Sequence, residues 1–210
     1  IDRKIADPKK IVVLNGAGVN LEHYAYTPKN PQEQKFHFLY LGRIMKEKGI
    51  DELFYAMEKL HGEYGERVVL DIVGFFEDEY KEIVEEMEKK GIVVFHGFQE
   101  ETRPYYEMAD CVVLPSYHEG MSNVLLEASA MGRPVITSDI PGCREAVEDG
   151  KSGYLCEVKN ADVLFEKMKL MMNKREEEIE EMGRCARERM EELFDKMKIV
   201  EKTEEIISGK

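Results

Sequence analysis

The sequence predicts a doubly wound α/β fold, in which helices cover both faces of a parallel sheet of about six strands and a helical tail follows. Two observations lead to this prediction. Short segments rich in Val, Ile and Leu alternate with amphipathic helix patterns, and this alternation favours right-handed crossovers between parallel strands. The strand segments are almost continuously apolar, as is typical of a sheet that is covered on both faces. The expected domain is therefore Rossmann-like.

The elements are predicted from hydrophobic periodicity and from glycines that end them. Strands are predicted at 10–15, 35–42, 67–74, 92–97, 111–116, 133–139 and 153–158. Helices are predicted at 50–60, 77–90, 102–110, 122–132, 143–150 and 161–173. Residues 1–173 form the predicted domain, and residues 174–210 form a Glu/Lys/Met-rich helical tail without a core of its own.

Composition restricts the possible partners. The chain has 210 residues and a net charge of −13, which repels the phosphates of nucleic acid and argues against a broad basic face for membrane docking. The four cysteines form no C-x-x-C pair and the five histidines have no metal-ligand spacing, so we expect neither a metal nor a redox cofactor. No apolar run reaches the roughly 18 residues of a membrane span. A reducing cytoplasm is the expected compartment.

The first candidate binding residues follow the strand at 35–42. Gly42 permits a close turn, and Arg43 and Lys48 lie in the loop that leads into the next helix. Because ligands bind at the carboxyl ends of strands in such sheets, the two cations are suited to hold a diphosphate. The alternative is that both are solvated loop charges. The glycine-rich loops typical of ATP and NAD binding are missing from the sequence.

The second set of candidates lies in EGMSNVLLE, from Glu119 to Glu127. Ser122 or Asn123 is expected to cap the helix that follows, and its N-terminus favours an anion. The two carboxylates, eight positions apart, are suited to accept hydrogen bonds from sugar hydroxyls. The alternative is that Glu119 is a loop acid and Glu127 a solvated helix residue.

The motifs NGAGVN, LGR…KG, IVG, HGF, PSYHEG, LLEASAMGRPVI, PGCREAV and DGKSGYL, with the E-x7-E spacing, occur in this order. In that order they resemble the family-4 retaining glycosyltransferases, from about residue 15 to residue 156. The resemblance implies the GT-B fold, which has two Rossmann-like domains, and this chain is similar to the C-terminal, donor-binding one. Within the family, these motifs are more similar to those of the bacterial subgroup that builds capsule, lipopolysaccharide or undecaprenyl-linked glycans. The run Met121–Val124 departs from the Phe-Gly of many relatives.

The resemblance implies roles for individual residues. Arg43 and Lys48 would hold the donor diphosphate, Glu119 would contact the donor sugar, and Glu127 would contact the ribose. The first three are the expected catalytic residues. His118 either touches the donor or hydrogen-bonds locally. The complete expected binding set is Gly16, Gly18, Gly42, Arg43, Lys48, Phe98, Gln99, His118, Glu119, Gly120, Met121, Ser122, Asn123, Val124 and Glu127, in which Phe98 and Gln99, with Gly97, lie near the base.

The implied reaction moves a hexose or N-acetylhexosamine from a nucleotide diphosphate sugar, with UDP favoured, to a hydroxyl of a glycan or lipid-linked acceptor. The expected partners are this donor and an N-terminal acceptor domain that the chain lacks, so the chain alone is expected to be inactive. The tail is then expected to be exposed or self-associated. A peripheral position at the inner face of the membrane stays open for the full-length protein. Two alternatives remain, a nucleotide-sugar epimerase of the same plan and a non-catalytic scaffold domain.

Overall fold

A computed structural model of the chain describes residues 16–29 and 35–208. Its six strands form one parallel sheet with the order β3-β2-β1-β4-β5-β6. The strands are β1 (Phe36–Leu41), β2 (Val68–Val73), β3 (Val93–Gly97), β4 (Cys111–Leu114), β5 (Val135–Ser138) and β6 (Gly153–Cys156). This order is that of the Rossmann fold, and the predicted fold class is confirmed. The strand predicted at 10–15 lies outside the described residues.

Seven α-helices accompany the sheet. They are α1 (Ile50–Tyr64), α2 (Lys81–Lys89), α3 (Arg103–Met108), α4 (Asn123–Ala130), α5 (Ala161–Met172), α6 (Glu176–Leu193) and α7 (Lys196–Ser208). Every residue of β2, β4 and β5 is buried. The apolar runs in these strands therefore reflect cover on both faces, as the sequence predicted.

Two predicted helices differ most from the structure. The helix predicted at 77–90 begins at Lys81, because the amides of Glu77 and Asp78 donate to the carbonyl of Ile44, and the Asp78 carboxylate accepts from the amide of Lys46. These bonds tie residues 77 and 78 to the loop after β1.

The helix predicted at 143–150 is a single 3₁₀ turn, Arg144–Ala146. Local bonds end it: the amide of Glu148 donates to the Ser152 hydroxyl, and the amide of Ser152 donates back to the Glu148 carbonyl. Ser and Asp side chains that bond nearby backbone favour turns over helix continuation.

The tail divides into two parts. Helix α6 packs against α4 and buries Met182, Gly183, Ala186 and Met190. A Cβ on Gly183 would lie 2.1 Å from the carbonyl oxygen of Gly132, so the contact between backbones is close. The expectation of an exposed tail is therefore wrong for α6. Helix α7, all of which is described, buries none of its residues. The domain boundary at 173/174 stays a prediction.

Candidate functional site

The strand order reverses between β1 and β4, which are neighbours in the sheet although they are not consecutive in the chain. In open α/β sheets the crevice at such a point, outside the carboxyl ends of the strands, is where ligands bind. The loops that follow β1 and β4 carry Arg43, Lys48 and Glu119. The structure therefore places these predicted residues at the edge where a ligand is expected.

Lys48 and Glu119 come together across this crevice. The Lys48 Nζ lies 2.7 Å from Oε1 of Glu119, and their side chains are only 17% and 15% exposed. Such a pair is shielded from solvent more than a surface ion pair is, so its electrostatic interaction is stronger. For Lys48 and Glu119, this burial is inconsistent with the alternative that they are solvated charges.

Two backbone contacts hold the loops of this pair against each other. Gly49 has φ 72°, and a Cβ there would lie 2.2 Å from the carbonyl oxygen of Pro115. The amide of Tyr117 donates to the carbonyl of Glu47 over 2.9 Å. These contacts join the two loops, and the joined loops therefore position Lys48 and Glu119.

Arg43 is directed towards the loop after β2. Its guanidinium bonds both oxygens of Glu77, at 2.8 and 3.1 Å, and its side chain is 49% exposed. The carbonyl of Arg43 accepts from the hydroxyl of Tyr40. Burial raises the pKa of Tyr40, the charge of Glu119 raises it further, and Arg43 opposes them. Arg43 and Glu119 thus have opposite effects on the pKa of the buried Tyr40 hydroxyl, although the Arg43 side chain is hydrogen-bonded to Glu77.

The loop from Gly120 to Ser122 leads into α4. Ser122 occupies the N-cap position, but among the described residues its side chain makes no capping hydrogen bond, so the predicted side-chain cap is wrong. Ser122 is buried, and its amide donates to the carbonyl of Gly142. Asn123 is the first residue of the helix and Val124 the second.

Gly142 supports this loop, although no role is predicted for it from the sequence. It has φ 88°, and a Cβ there would lie 1.3 Å from the carbonyl oxygen of Gly120 and 2.8 Å from that of Glu119. Its amide donates to the Glu145 carboxylate over 2.7 Å. The signal for it was the Pro-Gly pair after β5, since such a pair marks a turn.

Glu127 occupies a separate position, one turn into α4. Its Oε2 accepts from the buried Tyr106 hydroxyl over 2.9 Å, and the Tyr24 hydroxyl also interacts with the carboxylate. Burial raises the pKa of Glu127, and these tyrosine bonds partly lower it. Glu127 also lines a cavity of 240 Å³ with Asn123 and Lys196. Glu119 and Glu127 thus have different partners, which agrees with separate roles.

The segment with Gly16 and Gly18 reaches the same region. A Cβ on Gly16, at φ 67°, would lie 2.9 Å from Cβ and Cγ of Met121. A Cβ on Gly18, at φ 71°, would also contact the backbone just after the end of α6. Gly16 therefore lies against the loop before α4, while Gly18 connects it to the tail.

Other predicted residues lie at the periphery. Phe98 follows β3 with a 66% exposed ring, 6.3 Å edge-to-face from the exposed ring of Phe75. The Gln99 side chain donates to the carbonyl of His96 over 2.8 Å. His118 is exposed. Gly42 follows β1, and its amide donates to Val73.

Within residues 16–29 and 35–208, no group of three or more His, Cys, Asp or Glu side chains is arranged to hold a metal ion. None of the helices in that part of the chain is long and apolar enough to cross a membrane.

The strand order and the cluster of ionic side chains at its carboxyl edge define a Rossmann-like domain with a ligand crevice. A family model described as "Glycosyl transferases group 1" matches residues 26–189, which is well over half of the chain. The chain therefore belongs to the group 1 glycosyl transferases.

The capsular polysaccharide biosynthesis glycosyltransferase CapM of Staphylococcus aureus is 29% identical over 221 residues, which cover 97% of this chain and 57% of CapM. The N,N'-diacetylbacillosaminyl-diphospho-undecaprenol alpha-1,3-N-acetylgalactosaminyltransferase of Campylobacter jejuni is 28% identical, over 78% of this chain and 45% of the relative. The chain thus spans about half the length of these relatives.

A crystal structure of Anabaena Alr3699/HepE in complex with UDP superimposes with a TM-score of 0.78 at 20% identity, covering 92% of this chain and 56% of that one. At that identity the likeness shows the fold. The resemblance drawn from the motifs is confirmed by the family match and by relatives whose names refer to capsular polysaccharide biosynthesis and to a diphospho-undecaprenol.

Proposed function

We propose that this chain is the C-terminal, donor-binding domain of a retaining glycosyltransferase that uses a nucleotide diphosphate sugar. The contact between Lys48 and Glu119 carries this proposal, because it joins a cation and a sugar-reading carboxylate at the crevice where the strand order reverses. The membership in group 1 glycosyl transferases gives the reaction class. UDP is the favoured nucleotide, and the UDP complex of HepE supports it.

In the proposed reaction, the bond between the anomeric carbon and the diphosphate oxygen breaks. The acceptor hydroxyl oxygen forms the new bond on the same face, and its proton passes to the departing phosphate. Negative charge grows on the diphosphate as the bond breaks, so a cation held there stabilises the transition state. Lys48 is placed for this role, and Arg43 joins it once it leaves Glu77.

The ion pair suggests how donor binding is ordered. Without ligand, Lys48 is neutralised by Glu119 at 2.7 Å. A diphosphate would draw the ammonium away, and the freed carboxylate would then accept hydrogen bonds from sugar hydroxyls. The same two residues therefore serve as each other's partner before binding and as phosphate and sugar ligands afterwards.

Glu127 is assigned to the ribose. An ionised carboxylate has about four acceptor sites, and the hydroxyls of Tyr106 and Tyr24 use only part of them. These tyrosines fix the orientation of the carboxylate, and the remaining acceptor sites are available to the diol of a ribose.

The names of the relatives support a proposal for the acceptor. Their names refer to capsular polysaccharide and to a diphospho-undecaprenol acceptor, so we assign a glycan or lipid-linked hydroxyl, with a hexose or N-acetylhexosamine as the transferred sugar. An N-terminal domain would supply the acceptor site. The full protein would work in the cytoplasm at the inner face of the membrane.

A ligand screen tests the assignment. Ligands that bind the native state raise its unfolding temperature by mass action, so the 210-residue chain is heated with UDP, GDP, ADP and their sugar conjugates. We expect UDP and UDP-sugars to raise the midpoint more than the others do. No shift with any nucleotide diphosphate, in a chain that unfolds cooperatively, would contradict the donor site.

A further inference from the structure

A cavity of 240 Å³ combines residues from three distant parts of the chain. Asn123 and Glu127 line it from α4, residues 17–20 line it from the first described segment, and Lys196 lines it from α7. Because Asn123 and Glu127 are four positions apart on a helix, their side chains lie on one face. A lysine of the tail therefore lines the same cavity as the carboxylate assigned to the ribose.

Backbone hydrogen bonds fix Lys196 at this place. The amide of Val19 donates to the carbonyl of Phe194 over 2.8 Å, and the amide of Lys196 donates to the carbonyl of Val19 over 3.1 Å. A Cβ on Gly18 would lie 2.7 Å from the Phe194 oxygen and 3.0 Å from the Lys196 Cα. The turn between α6 and α7 is thus held against the segment at 17–20, and the position of Lys196 does not depend on its side chain.

The ammonium of Lys196 is available to a ligand. Lys196 is exposed, and among the described residues its side chain has no hydrogen-bond or ion-pair partner, whereas Glu127 is held by Tyr106. The cavity thus has a carboxylate that can accept from hydroxyls and a cation with unused donors. A ligand with a diol next to a negatively charged phosphate has the complementary chemistry.

We propose that Lys196 is a further donor-binding residue, which contacts the phosphate attached to the ribose of the nucleotide. This inference rests on the proposed function and adds the tail to the donor site. The two lysines then contact different phosphates: Lys48 contacts the phosphate next to the sugar, and Lys196 contacts the phosphate next to the nucleoside. Donor affinity would then depend on the turn between α6 and α7.

The test is titration calorimetry of the 210-residue chain with UDP, UMP and uridine, for the unsubstituted protein and for Lys196→Ala, Lys196→Arg, Lys48→Ala and Lys202→Ala. Lys202 is an exposed lysine of the same helix that does not line the cavity. We expect Lys196→Ala to weaken UDP and UMP about tenfold, as loss of one charged hydrogen bond would, with uridine unchanged. Lys196→Arg should retain most of the affinity, and Lys202→Ala all of it.

The outcomes separate the two proposals. If Lys196→Ala binds UDP like the unsubstituted chain while Lys48→Ala does not, the Lys196 assignment is wrong and the donor site stands. An equal loss for UDP and uridine would overturn the phosphate contact. If the unsubstituted chain, unfolding cooperatively, binds no nucleotide, both proposals fail. Unfolding midpoints of the variants show whether a loss reflects the fold.

Discussion

Lys48 and Glu119 form an ion pair across the crevice between the carboxyl ends of β1 and β4, with 2.7 Å between Nζ and Oε1. The pair connects loops that are 71 positions apart in the sequence, and both residues are assigned to the donor. Donor binding therefore replaces the ion pair between Lys48 and Glu119, and this exchange can be measured.

Replacing Glu119 with Gln should affect two ligands differently. The variant loses the ion pair, so Lys48 is free to meet a diphosphate, and we expect UDP to bind at least as tightly as it binds the unsubstituted chain. A UDP-sugar binds the unsubstituted chain more tightly than UDP does because its sugar hydroxyls bond Glu119. In the variant this additional binding free energy should fall by about 1–3 kcal/mol, as for the loss of a hydrogen bond to a charged group. Calorimetry with UDP and UDP-sugars measures both. A parallel loss for the two ligands would contradict the assignment of Glu119 to the sugar.

Glu77 competes with the diphosphate for Arg43. We expect Glu77→Gln to strengthen UDP binding slightly, by about 0.2–1 kcal/mol, the range for an exposed ion pair, and Arg43→Ala to weaken it. Both are measured by UDP titration at low and moderate salt. Because both side chains are half-exposed, the gain should shrink as salt rises. If Arg43→Ala leaves UDP affinity unchanged, Arg43 does not belong to the site.

The Gly142→Ala variant tests how the donor loop is supported. At φ 88° with a Cβ placed 1.3 Å from the Gly120 oxygen, the methyl group adds a backbone clash to conformational strain. Strain alone costs of order 1–3 kcal/mol, so a larger loss in the free energy of unfolding is expected, together with weaker UDP-sugar binding.

Gly150→Ala is the matched control, since Gly150 has φ 79° and no atom within 4 Å of its Cβ position in the described part of the chain. It carries the strain without the clash. Urea denaturation gives both free energies of unfolding. Equal losses in the two variants would show that the contact with Gly120 is unimportant.

Glu127→Gln should stabilise the fold at neutral pH and weaken nucleoside binding. Burial raises the pKa of Glu127 above its ordinary value of 4.5. The folded state therefore binds the proton more tightly than the unfolded state does, and stability is lost as pH rises from the ordinary value through the raised one. The Gln variant avoids this loss.

The difference in unfolding free energy between Glu127→Gln and the unsubstituted chain should consequently be present at neutral pH and vanish below the ordinary pKa. Denaturation across that pH range measures it. A variant less stable than the unsubstituted chain at neutral pH would contradict the proposed cost of burying the carboxylate.

Much of the fold could be predicted because β2, β4 and β5 are buried throughout and mostly apolar, and α1 follows a helical period. The sequence placed Arg43, Lys48, Glu119 and Glu127 after the right strands. It could not show that Lys48 meets Glu119 or that Arg43 turns to Glu77, since these contacts depend on how separate loops pack.

Tertiary packing also explains why some residues near the site could not be predicted from the sequence. Tyr106 is an ordinary residue of a short helix until the fold places its hydroxyl 2.9 Å from Glu127. Lys196 is one of many lysines in a charged tail, and only the backbone bonds between Val19 and the end of α6 bring it to the cavity. Periodicity carries no information about such pairings between distant segments.

The most direct measurement of the central claim is the affinity of the 210-residue chain for UDP, compared with that of Lys48→Ala, by titration calorimetry. Lys48 is a cation that the fold places in the crevice, so we predict that the unsubstituted chain binds UDP and that the variant loses about 1.5–3 kcal/mol of binding free energy. The variant should be less stable, because Glu119 loses its partner, but it should still unfold cooperatively. Equal UDP affinity of the two folded proteins would contradict the account.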